Sequence, residues 1–385
     1  MKTHLWTRSM LFVYAFASLM SACAGTGGTV RKDAPLLYPP LPNKPRLQFL
    51  TAYTTAEDVE EKNSFMDFVV GREEINRSLS KPYGATIIPD DRIVVTDPGA
   101  NDVVVFDLAK REFRRLRGNT GGGHAKNPIN LTSGPDGTIY LADAGRNQIL
   151  VYGPDENFIH ALGVDGEFRP TDVAVHGDEL YVCDVQHHQI AVLDRRTGKE
   201  LRRIGSPGRE KGQLYLPTNL SVGPDGDIYV SEIGNFRVQR FRPDGTPVAV
   251  IGSPGDMPGS MARPKGVGVS PDGHVYVVDA AFENVQIFDQ EGRLLLFFGG
   301  PGAEPGNLYL PAGIEVTTRG VKMFQSLADP RLKLRYLVVV VSQYGPRRIN
   351  VFGFGDWTWP EGSSTGEPAT GEDSEPGQPA VPPGD

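Results

Sequence analysis

The chain has 385 residues, 46 of them glycine and 32 proline, with a formal net charge of −8. That charge argues against nucleic acid as a main partner, because phosphate binding asks for a basic surface. The only cysteines are Cys23 and Cys183, and neither sits in a Cys-x-x-Cys-His run, which excludes covalent haem.

Residues 1–22 read as a signal peptide. Lys2 and Arg8 supply the positive start, Met10 to Met20 form an apolar run, and the small residues Ser21 and Ala22 follow. The run is too short to span a bilayer, which takes about 20 apolar residues. The segment Leu19-Met20-Ser21-Ala22-Cys23 resembles a bacterial lipobox, with Met20 in place of the usual Leu. That resemblance makes Cys23 the lipidation site; the other reading is an ordinary secretory signal beside an accidental cysteine. Several acyl chains hold far more firmly than one. Ala24 in place of Asp after the cysteine implies, by the same resemblance, the outer membrane facing the periplasm. Residues 23–44, rich in Gly and then Pro, read as a tether.

A repeat fills the body, 45–356. Pro82, Pro128, Pro170, Pro217, Pro264 and Pro311 each open a unit, at intervals of 42 to 47 residues. An apolar strand follows each Pro, then a turn such as Pro135-Asp136-Gly137, Pro224-Asp225-Gly226 or Pro271-Asp272-Gly273. A second strand ends in an acid at Asp97, Asp143, Asp184, Glu232 and Asp279, and third and fourth strands complete the unit. Four strands in such a period spell a propeller blade. Cys183 lies in one of these strands and is expected to be a buried free thiol.

The pattern Pro-x-Gly-Val-x-Val, Asp-Gly, Tyr-Val-x-Asp and Asn-x-Arg-Val-Gln, carried best by blades 4 and 5, closely resembles the NHL repeat. The resemblance implies an all-β, six-bladed NHL-type β-propeller. Blade 6 differs: it has Ser342 where the others have an acid, an insertion near Val321 to Arg335, and no fourth strand of its own. Pro45 to Leu50 is predicted to supply that strand and close the ring, removing an exposed edge. Between it and blade 1, Phe65, Met66, Phe68, Val69 and Val70 predict a short helical insert, either a structural cover or a partner-docking element. Trp357 and Trp359 are expected against the end of blade 6. Residues 357–385 read as a disordered, acidic, Pro/Gly-rich tail.

Chemistry is sparse. The strand-end acids recur in each of blades 1 to 5, which favours a structural role in capping backbone N–H groups. The third residue of each blade, Gly84, Asn130, Asp172, Asn219, Gly266 or Gly313, should lie near the axis. Tolerance of positive φ explains the set. The oxygens of Asn130, Asp172 and Asn219 are also candidate Ca²⁺ ligands, as in the lactonase-like propellers that this arrangement resembles. His187 and His188 are adjacent but lack a third ligand at recognisable zinc spacing. No Gly-x-Ser-x-Gly elbow or phosphate loop occurs.

Loops joining second to third strands share one face and carry Arg146, His187, Asn235, Arg237, Phe282, Tyr344 and Arg347, a mix that suits either a binding surface or ordinary loop chemistry. The chain resembles lipid-anchored bacterial NHL propellers found alongside exported electron-transfer or envelope proteins. The expectation is a non-enzymatic scaffold, without cofactor, anchored in a membrane by lipid and binding a protein partner through one propeller face. The alternative is a metal-dependent lyase or lactonase at the axial channel mouth.

Overall fold

Strands buried on both sides need partners on both sides, and a ring of blades supplies them. The second strand of blades 1 to 5 is buried at every position: Arg92–Asp97, Ile139–Asp143, Glu179–Asp184 from its second residue, Ile228–Glu232 and Val275–Asp279. Successive residues in a strand face opposite ways. Ile93 and Val95 accordingly join the cluster shared with blade 6, while Val94 joins the one shared with blade 2. Six such clusters occur, one in each interface around the ring.

The computed structural model describes residues 34–60, 77–163 and 167–359. The chain divides into two units, Met1–Pro35 and Leu36–Asp385, and the propeller belongs to the second. Cys23, the signal segment, the apolar stretch 65–70 and the tail from residue 360 lie outside the described residues, while Trp357, read as the start of that tail, ends the last strand.

Blades 1 to 5 are four-stranded antiparallel sheets whose innermost strands are Ala85–Ile88, Pro128–Ser133, Pro170–His176, Pro217–Val222 and Pro264–Val269. The Asp-Gly turns behave as their chemistry predicts: Gly137, Gly226 and Gly273 have φ of 82°, 87° and 81°. Outermost strands alternate in exposure, as in Leu294–Gly299, because one of their faces meets water.

Blade 6 is built from both ends of the propeller. Its own strands are Pro311–Thr317, Leu332–Ser342 and Ile349–Trp357, and Leu47–Tyr53 pairs antiparallel with the last of these. The predicted closing strand is therefore present, displaced slightly towards Tyr53. Leu37–Tyr38, inside the segment read as a tether, adds a short fifth strand. The insertion holds helix α1, Val321–Phe324, whose Phe324 is buried in the interface between blades 6 and 1. It also lengthens the second strand to 11 residues. Gln48 ties the insertion to the closing strand, accepting from Asp329 N at 2.8 Å. Trp357 is buried at the end of blade 6, edge-on to Trp359.

Candidate functional site at the axial mouth and crossover face

The start of each first strand pairs with the end of its second, as Pro128 does with Asp143 and Pro217 with Glu232, so the second-to-third loops and the crossovers between blades share one face. The strand-end acids hold that face together. Asp143 accepts from Lys126 N (2.7 Å) and Asn127 N (2.9 Å) in the preceding crossover, and from Gly145 N (2.9 Å) in the following loop. Asp279 does the same with Ala262 N, Arg263 N and Ala281 N. Glu232 has a longer reach and takes Tyr215 N, Asn235 Nδ2, Arg237 Nε and Gln239 Nε2. In blade 6 the Ser342 hydroxyl accepts from Tyr309 N at 3.2 Å, a neutral substitute.

The polar residues assigned from sequence to a binding face turn back into it. Arg146 donates to the carbonyls of Gly122 and His124. Arg237 donates to Glu232, Glu210 O and Gln213 O, and Asn235 to Gly208 O. His187 Nδ1 lies 2.6 Å from Asp184 Oδ2, and Arg347 reaches Ala303 O. Phe282 is half-buried. Four aromatic side chains stand out into solvent, Tyr215 (38% exposed), Phe236 (38%), Tyr309 (47%) and Tyr344 (41%), alongside exposed polar residues such as Lys126, Gln186 and Arg263. Tyr215 packs on Gly234, where a Cβ would lie 2.3 Å from its ring, and Tyr309 packs the same way on Gly345.

At the axis, Asn130, Asp172 and Asn219 do converge. Asn219 Nδ2 donates to Asp172 Oδ2 at 3.3 Å, and the Asn130 side chain hydrogen-bonds the same carboxyl. Every oxygen of the three already accepts a bond: Asn130 Oδ1 from Leu131 N, Asp172 Oδ1 from Val173 N, Asp172 Oδ2 from Leu220 N, and Asn219 Oδ1 from the Tyr83 hydroxyl. A cation here would have to use the lone pairs those bonds leave, or displace the bonds. Among the described residues no group of three or more His, Cys, Asp or Glu side chains is placed to hold a metal. Burial pushes the Asp172 carboxyl up to about 7 against those hydrogen bonds.

Positive φ does not account for the third-residue set. None of the six positions is left-handed. The glycines are demanded by close approach instead: a Cβ on Gly84 would lie 1.8 Å from Asn130 Oδ1, and one on Gly313 would lie 2.3 Å from Tyr83 O.

Two residues that sequence reading passed over complete the plug, and both immediately follow a blade-opening proline. Tyr83 is half-buried with its hydroxyl on Asn219. Lys265 Nζ sits 5.4 Å from the Tyr83 ring centroid and donates to Gln343 Oε1 at 3.2 Å. Below the plug the channel widens to a cavity of about 500 Å³ that reaches the turns at Pro135, Pro224 and Pro271. Glu315 lines it, accepting from the Thr86 hydroxyl at 2.6 Å and Ile87 N at 2.8 Å. Burial pushes its carboxyl up to about 7. Arg319 crosses to blade 2, donating to Ser133 and Gly134 O at 2.5 Å each.

No family model matches the chain. A curated relative from Caenorhabditis elegans, a probable peptidyl-alpha-hydroxyglycine alpha-amidating lyase, is 24% identical over 106 residues. That match spans 26% of this chain and 30% of the relative's length. Among solved structures, a streptogramin B lyase superposes with a TM-score of 0.50 at 15% identity, covering 72% of this chain and 94% of its own. A Bacteroides thetaiotaomicron protein of unknown function reaches 0.55 at 16% identity, over 80% and 75% of the two chains. An auxiliary nutrient binding protein from the same organism reaches 0.54 at 12% identity, over 72% and 70%. At these identities the likeness establishes the six-bladed propeller fold and leaves activity to the site.

Proposed function

We propose that this protein is a lipid-anchored envelope scaffold, held through Cys23 at the periplasmic side of the outer membrane. It binds a protein partner through the crossover face and performs no chemistry there. One observation carries the reading. Outside the axial mouth, Arg146, Asn235 and Arg237 bond back to the face's own loops, while Tyr215, Phe236, Tyr309 and Tyr344 remain exposed on loops so fixed. Rigid aromatic side chains on a preorganised surface lose little entropy on docking and dominate interface energetics. The NHL-like repeat pattern and the lipobox-like segment support the same placement.

The test is crosslinking in native membranes, with Cys23→Ser as the unanchored control and Tyr215→Ala/Tyr309→Ala as the face control. The reading expects a reproducible partner that is lost with either change. A partner set unaffected by both would sink it. A metal-dependent lyase or lactonase at the axial mouth is the competing reading. It requires the Tyr83–Asn219 bond to open, and it expects stoichiometric metal in the purified protein.

A further inference from the structure

The chain is acidic overall, yet its axial mouth is cationic. Arg263 is exposed and Lys81 is half-buried. Both act electrostatically on Lys265, which is only 8% exposed at the base. Arg348 is linked to Lys265 through Gln343: its Nη1 donates to the Gln343 backbone carbonyl, and the Gln343 side-chain oxygen accepts from Lys265. Lys81 Nζ and the Arg348 guanidinium lie 5.5 and 5.8 Å from the centroid of the same ring, Tyr344.

Among the described residues none of these four cations has a carboxylate within ion-pair distance. Asp97 acts electrostatically on Arg348, but its oxygens already accept Ser80 N at 2.5 Å and Lys81 N at 2.8 Å. Arg348 Nε is buried with no hydrogen-bond partner at all. A buried ammonium with one amide partner and a buried guanidinium N–H with none are costly unless something compensates them. Elsewhere this fold pairs its buried arginines, as Arg92 and Arg114 are paired on Glu156. The mouth departs from that practice.

We infer that the axial mouth of the crossover face is a binding site for a single oxyanion group, carboxylate or phosphate, held between Arg263, Lys81, Lys265 and Arg348. Guanidinium and ammonium donors are the groups that recognise such an anion. The exposed Arg263 meets it first, and the desolvated Lys265 and Arg348 gain most from it, since charges attract more strongly where water is excluded. The site stands on the mouth alone and needs no docked protein, so it can fail or hold independently of the scaffold reading.

The probes are sodium sulfate and sodium acetate, titrated calorimetrically into the purified full-length protein, with chloride keeping ionic strength constant. Saturable sulfate binding is expected, weakened at least fivefold by Arg263→Gln and by Lys265→Met. It should be unchanged by Arg293→Gln, an exposed cation on the opposite face. Sulfate binding without acetate binding assigns the site to phosphate-type groups; binding of both admits carboxylates. No saturable binding of either anion, or binding indifferent to Arg263→Gln, overturns the inference. Arg263 is at the surface, so that variant decides the question even if Lys265→Met does not fold.

Discussion

The hydroxyl of Tyr83, at the opening of blade 1, donates to Asn219 Oδ1 of blade 4 at 3.0 Å. In a ring of six, blades 1 and 4 are opposite, so this bond is a strut across the axis and seals the mouth from the cavity beneath. Removing it by Tyr83→Phe leaves a buried amide oxygen unpaired, which costs about 1–3 kcal/mol. Urea denaturation of the variant should show that loss. A midpoint equal to that of the wild type would mean the strut is open in solution.

Two buried carboxyls give the stability a pH slope. Asp172 and Glu315 are both raised to about 7 in the folded state by burial. In the unfolded chain they titrate near 4. Between about pH 4 and 7 the folded protein therefore binds more protons, and stability falls as pH rises through that window. Melting temperature measured from pH 4.5 to 7.5 should decline, and Asp172→Asn with Glu315→Gln should flatten the decline. A wild-type profile that rises over this range would show other groups dominating.

Glu156 is fully buried in the interface between blades 1 and 2, with Arg92 Nη1 at 2.5 Å and Arg114 Nη1 at 2.6 Å. Burial alone would raise its carboxyl, but the two guanidinium groups outweigh burial and hold it below the usual range. Glu156→Ala removes the shortest ion pair of both arginines, leaving Arg92 with Asp90 at 3.6 Å and Arg114 with Asp107 at 3.6 Å, and should cost about 1–3 kcal/mol. Adding Arg114→Leu should recover part of that. Non-recovery in a double-mutant cycle would place the loss in packing, not charge.

Leu47 is fully buried against blades 5 and 6 in the closing strand. Leu47→Ala should cost about 2–5 kcal/mol, while Leu41→Ala, at an exposed side chain, should cost almost nothing. Equal effects of the two would mean the closing strand lies outside the cooperative unit.

Much of this architecture could be read from residue spacing. The prolines that open the blades, the strand-end acids and the closing strand near Pro45 to Leu50 all repeat or complete a repeat, and the structure places them accordingly. The site was less legible. Tyr83 and Lys265 share a blade position held elsewhere by Ile129, Thr171, Thr218 and Ala312, so no pattern marks them. A loop residue's side-chain direction is likewise absent from sequence. Arg146 and Arg237 read as outward-facing groups, yet each is long enough to fold back onto crossover carbonyls. The exposed Tyr215 and Tyr309 follow the buried Leu214 and Leu308 in matching crossovers, Gln-Leu-Tyr-Leu-Pro and Asn-Leu-Tyr-Leu-Pro. That internal match was the available signal.

The seam in blade 6 also sets the order of events as the chain is made. Blades 1 to 5 pair strands that are neighbours in sequence, and each can form as its hairpins appear. Leu47, by contrast, pairs with Phe354 and Tyr53 with Ile349. The first long strand to be synthesised is thus the last to find its partner, and contacts so distant in sequence are the slow ones. Until the final strand arrives, Leu47–Tyr53 stays an open edge, the kind of surface that invites wrong pairing. Joining the first strand to the last makes the finished ring a record that the whole propeller has been delivered.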